Sequence, residues 1–179
     1  EAGEANTTGS SNVAVGRDAL TGNTTGTENT AVGLSALKVS TTGDNNTAVG
    51  RQALQANTTA DDNVAVGDNA LQANTTGSQN TGLGTRAMLY TTTGSDNVSV
   101  GHNSMETNTT GAENVAVGNY ALDNSSTSSY NVAVGYGALT QMTTGNSNTA
   151  LGHQASDAST TASNTVAVGN DALGALTTG

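Results

Sequence analysis

The residues able to do chemistry are few, and their spacing decides what they can do together. Two histidines occur, His102 and His153. A nucleophilic site would need one of them beside a Ser or Thr, with an acid to orient it. A zinc site would need several ligands converging on one point. Asp44, Asp61, Asp62 and Asp96 raise the question of calcium. Neither the Gly-Gly-x-Gly-x-Asp array of calcium-binding rolls nor an EF-hand loop is present, so these read as acids of a polar turn. The glycine-rich phrases lack the Lys that a phosphate loop requires. Tyr120, Tyr130 and Tyr136 offer aromatic faces on a polar background, which suits stacking against sugars. Sequons such as Asn57-Thr58-Thr59 recur, and would matter only in a eukaryotic secretory setting.

What positions these residues is a repeat. The phrase Asn114-Val115-Ala116-Val117-Gly118-Asn119-Tyr120-Ala121-Leu122 is one of ten copies. Its glycine falls at Gly16, Gly33, Gly50, Gly67, Gly84, Gly101, Gly118, Gly135, Gly152 and Gly169, always 17 residues on. A Thr-Thr-Gly phrase keeps the same step from Gly9 to Gly179, with Ala60, Ser128 and Ala162 in three of the glycine places. A fixed period of this kind means one supersecondary unit stacked on itself.

With the Asn before the motif as column zero, column three is Val or Leu in every copy, from Val15 to Val168. That uniformity implies a dry environment. Column one is Val or Thr and shares its side of a strand. Column two points the other way and is Ala except at Gly82 and Ser99, so that side is also closely approached. The column-four glycine implies positive φ or close contact with the next copy. Columns five and six vary freely and read as solvent-facing corners. Columns seven and eight, Ala then Leu or Met in most copies, read as a second apolar strand or short extended edge. Columns nine to eleven vary again; column thirteen is Thr in every copy.

Glycine and short β-branched runs exclude helix. Every copy ends in the same phase, which fits a parallel β-solenoid better than an alternating sheet. Ten coils about 4.8 Å apart give a rod about 48 Å long. The coil outline, two-sided or triangular, is left open by the sequence. Residues 1–179 read as a single solenoid domain and as a piece of a longer fibre. His102 and His153 then both occupy column five, about 14 Å apart by the stacking distance, and cannot share a metal within one chain. They read as surface histidines.

Composition narrows the function classes. Phe, Trp, Pro and Cys are absent, which suits a core one side chain wide. The net charge is −10, with only Arg17, Lys38, Arg51 and Arg86 as cations. Nucleic-acid binding is therefore not expected. No apolar run is long enough to insert in a membrane as a helix.

Asn12-Val13-Ala14-Val15-Gly16, Asn114-Val115-Ala116-Val117-Gly118 and Asn131-Val132-Ala133-Val134-Gly135 resemble the head repeats of trimeric autotransporter adhesins, the YadA-like left-handed parallel β-roll. Asn29-Thr30-Ala31-Val32-Gly33 is similar to arrays in bacteriophage tail-fibre proteins. The resemblance covers the whole chain, although the period here is longer than in the adhesin heads. It implies a homotrimeric, non-catalytic fibre displayed outside the cell, on a bacterial surface or a virion tail. A host-surface receptor or glycan is the implied partner, and no cofactor is called for.

Two expectations follow. Columns two and three avoid charge and point opposite ways, so one fills the roll and the other meets partner chains in a parallel trimer. Ala65, Ala116 and Ala133, or their column-three neighbours, would lie near its axis. Receptor contact falls on the variable corners, with Tyr120, Tyr130 and Tyr136 as the candidates. The alternative reading is an ice-binding solenoid using the column-thirteen ladder: Thr25, Thr42, Thr59, Thr76, Thr93, Thr110, Thr127, Thr144, Thr161 and Thr178. Against it, columns twelve and thirteen should point apart, and column eleven is mixed. An enzyme ranks third, because no polar groups converge.

Overall fold

A computed structural model describes residues 1–175. It is an all-β parallel solenoid, with no helix among the described residues. Each coil contributes one three-residue strand, from β1 (Val13–Val15) through β7 (Val115–Val117) and β8 (Val132–Val134) to β10 (Val166–Val168). The strands form one ten-stranded parallel sheet in sequence order. Register is column on column: Val115 pairs with Val132, Ala116 with Ala133, Val117 with Val134. A uniform 17-residue step permits no other register without breaking every ladder at once.

The sheet divides its residues by the pleat. Column-two alanines from Ala31 to Ala150, including Ala65, Ala116 and Ala133, are fully buried inside their own chain. Columns one and three face outward: Val15 is 56% exposed, Val117 37% and Leu151 48%. The alanines therefore cannot lie at an axis between chains, and of the two sequence alternatives only the column-three neighbours remain. Opposite the alanines the interior is filled by column seven and by Leu37, Leu54, Leu71, Met88, Met105, Leu122 and Leu139 of column eight.

Columns seven and eight are not a second strand. The column-eight residues adopt left-handed backbone, as at Leu54 (φ 49°) and Leu122 (φ 52°), and the segment runs as turns. Their amides still reach the next coil, Leu122 N–H donating to Ala138 O at 3.0 Å. The turn is what swings Leu inward across so narrow a section. Columns six and sixteen are left-handed as well, at Tyr120 (φ 60°) and Tyr130 (φ 62°) for example. At column four both anticipated reasons for glycine apply: Gly118 has φ 137°, and a Cβ there would strike the Gly135 carbonyl of the next coil.

Column eleven, variable in sequence, is interior. Asn23, Asn57, Asn74 and Asn108 are fully buried there, as are the column-zero asparagines from Asn29 to Asn131. The two ranks converge on the column-fourteen carbonyl. Gly111 O accepts from Asn97 Nδ2 at 2.9 Å and from Asn108 Nδ2 at 3.0 Å. Each column-zero Oδ1 also accepts the backbone N–H of its counterpart one coil on, as Asn97 does from Asn114 at 3.0 Å. Asparagine supplies a donor and an acceptor together, so one side chain satisfies backbone groups that would otherwise be buried unpaired.

Candidate functional site

The corner columns bring together residues that the sequence only placed near one another. His102, Tyr120, Tyr136 and His153 form an unbroken run over four successive coils. His102 and Tyr120 meet edge to face with centroids 5.6 Å apart, Tyr120 and Tyr136 likewise at 5.7 Å, and Tyr136 stacks on His153 at 5.4 Å. Aromatic pairs favour these arrangements. Tyr136 is 50% exposed, and both histidines are exposed. The histidines, read from sequence as surface residues, are the ends of an aromatic stripe. The signal was available: column five reads His102, Asn119, Tyr136, His153 through these coils, with Tyr120 adjacent to Asn119.

Tyr130 stands apart from the stripe. It precedes β8, whereas Tyr136 follows it, so the two flank the exposed face on opposite margins. Five residues lie between them, and the six chain steps span up to about 20 Å. Tyr130 is 57% exposed.

The margins differ in charge. The residue before each column-zero Asn is an acid at Glu28, Asp62, Asp96 and Glu113 and is nowhere basic. The residue after each motif glycine is Arg17, Arg51, His102 or His153 in four coils and an acid only at Asp68. Arg51 holds Asp68 at 2.7 Å, Arg86 holds Glu106 at 2.5 Å, and Lys38 lies 3.9 Å from Asp18. Three of the four side-chain cations are therefore already paired.

Beside the stripe, burial pushes the Asp123 carboxyl up to about 6, with Glu106 adding repulsion and Arg86 and His102 opposing it. Among the described residues no three His, Asp or Glu gather as a metal site, and no enclosed pocket is found. The turn acids divide into two kinds. Asp44 and Asp61 accept backbone amides from the preceding coil, Asp44 from Thr27 at 2.6 Å and Asp61 from Asp44 at 2.8 Å. Asp62 and Asp96 are exposed at left-handed positions. The sequon Asn57 is fully buried and donates to Ala60 O, so the folded coil offers it to no glycan-transferring enzyme.

The threonine ranks separate as the sequence implied. Thr25, Thr42, Thr59, Thr76, Thr93, Thr110, Thr127, Thr144 and Thr161 are all exposed, and Thr178 lies outside the described residues. Column-twelve hydroxyls are committed to backbone: Thr58 Oγ1 donates to Thr75 O at 2.9 Å, and Thr75 Oγ1 to Thr92 O at 2.9 Å.

Comparison with protein-family models, with curated proteins and with solved structures finds no match for this chain.

Proposed function

We propose that this chain is a non-catalytic fibre segment that assembles as a parallel homotrimer and serves attachment, displayed on a bacterial surface or a virion tail. The roll is taken as left-handed, as the adhesin-head resemblance implies. One observation carries the reading: the outer face of the sheet is apolar along its whole length while the interior is already full. Columns one and three present Val, Leu and Thr on ten strands, with no charge in either column. The three-residue strands make the apolar face about 48 Å by about 10 Å, on the order of 500 Å², and the polar margins on either side widen what a partner would cover. A continuous uncharged apolar patch of this size, rimmed by polar residues, is typical of an interaction surface.

The acidic margin supports a parallel arrangement. When copies run parallel around an axis, the acidic margin of one meets the nearly uncharged opposite margin of the next. An antiparallel pair would set acid against acid. A closed cyclic assembly also suits identical long stripes.

The test is mass and fold together. Val117→Asp with Val134→Asp is expected to abolish the trimer in light scattering while retaining the β circular dichroism, because both side chains face outward. Ala116→Asp is expected to unfold the coil instead. A parent chain that is monomeric at micromolar concentration, or a double variant that stays trimeric, overturns the reading.

The exposed threonine rank supports a second reading, ice binding, because its hydroxyls repeat at strand spacing. It offers a single free rank, since the neighbouring hydroxyls are bonded to carbonyls. A thermal-hysteresis signal lost on Thr76→Tyr and Thr93→Tyr would place this reading first.

A further inference from the structure

We infer that the attachment site is completed between copies: Tyr130 of the partner subunit joins Tyr136, and the resulting aromatic track takes a linear, uncharged polysaccharide laid along the rod. This rests on the parallel trimer proposed above and adds both the contributor and the ligand class.

The geometry follows from symmetry. Closed cyclic symmetry contains rotation and no translation, so a given residue lies at the same height in every copy. Tyr130 and Tyr136 flank the same strand, β8, on opposite margins. Within one chain the face separates them. Around a parallel trimer the margin carrying Tyr130 abuts the margin carrying Tyr136 of the next copy, at the height of the same coil. The one coil with tyrosine on both margins is also the coil at which the stripe passes from Tyr120 to Tyr136. A seam there would give Tyr130, now more than half exposed, an aromatic partner.

The ligand class follows from charge and pitch. The chain carries −10, three of its four cations are paired, and carboxylates flank the stripe at Asp123 and, 4.0 Å from His153, at Asp171. Sulfated, phosphorylated or sialylated chains would be repelled. Aromatic rings take the apolar faces of neutral sugars, and Asn119, whose Oδ1 accepts the His102 N–H at 2.9 Å, keeps its Nδ2 for a sugar hydroxyl. Coils about 4.8 Å apart advance by nearly the length of one hexose unit in an extended β-linked chain, so each coil comes opposite one sugar, met by the parallel rings of Tyr136 and His153 and by the turned ring of Tyr120. No pocket encloses the track, so affinity would come from several sugars at once and from three seams per fibre.

The repeat supplies fold-neutral substitutions. Asn stands at the Tyr130 column in Asn45 and Asn164, and at the Tyr136 column in Asn119 and Asn170. The chain has no cysteine, so Tyr130→Cys with Tyr136→Cys can be joined cleanly by a short bis-maleimide. We expect covalent trimers from the double variant and none from either single variant. Calorimetry with cello-oligosaccharides of two to six units should show affinity rising with length. Tyr130→Asn should weaken the six-unit binding about tenfold, as Tyr136→Asn does, with mass unchanged. A monomeric parent would remove the assembly on which the inference rests. A trimer that fails to cross-link refutes the seam alone. Cross-linking without cello-oligosaccharide binding, or with preferential binding of heparin, refutes the ligand class.

Discussion

Replacing Asn97 by Leu tests whether the buried asparagine rank holds the coils together. Asn97 makes four side-chain hydrogen bonds. It donates to Gly111 O at 2.9 Å and to Asn80 Oδ1 at 3.1 Å, and accepts from Asn114 N at 3.0 Å and Asn114 Nδ2 at 3.1 Å. Leu removes all four, but the partners do not suffer equally. Gly111 O keeps Asn108, Asn80 Oδ1 keeps the backbone N–H of residue 97, and Asn114 Nδ2 keeps Ser128 O. The Asn114 amide alone is left buried without an acceptor. That orphan costs about 1–3 kcal/mol, and three partly compensated losses add about 0.5–1 kcal/mol each. Burying leucine returns about 1.5 kcal/mol. The net expectation is destabilisation by about 3 kcal/mol. Asn97→Thr should cost about half as much, because a threonine oxygen can accept the same amide. Thr165 already occupies this column, with Oγ1 2.7 Å from Asn148 Oδ1. Guanidinium unfolding at fixed protomer concentration measures both variants, and hydrogen exchange at the Asn114 amide reports the local effect. Should Leu fall within about 0.5 kcal/mol of the parent, or Thr cost as much as Leu, the orphaned amide is not the controlling term.

Two further outcomes are expected. Asp123 binds its proton more tightly folded than unfolded, its carboxyl rising from 3.8 to about 6. Its contribution to stability is therefore full below about pH 4 and lost as pH rises to about 6. Asp123→Asn should remove that part of the pH dependence, on the order of 1 kcal/mol after screening at a partly exposed site, read as the difference between parent and variant unfolding curves from pH 4 to 7. Ser156 sits fully buried in the leucine column with its hydroxyl unpaired. Ser156→Leu should raise the unfolding midpoint by about 1 kcal/mol equivalent, and a lowered midpoint would show that the ninth coil has closed around the smaller side chain.

The stacked-coil plan was legible in the residues, though the coil outline was not. A 17-residue step without insertion or deletion admits only stacked, in-register coils, because any slip would misplace every column together. The glycine at column four and the outward position of column five, where side chains vary, were legible too; that the column-thirteen threonines face solvent was not. What the sequence also left open was the direction of each apolar column. Alternation along Val115-Ala116-Val117 says that Val and Ala face opposite ways, and does not say which way is in. The structure decides this through width: a coil so narrow has room for alanine against leucine, and valine is turned out. The leucine column looked like a strand because its neighbours are apolar, yet backbone at φ near +50° turns the residue inward, a choice made by coil closure and not by local preference. Column eleven was illegible because Asn, Ser, Thr and Met look like surface variation until the carbonyls they must satisfy are in place. The aromatic stripe lay in the columns all along. Only the stacking of coils shows that residues 17 or so apart in sequence touch, and that Tyr130, close to Tyr136 in sequence, stands across the face from it.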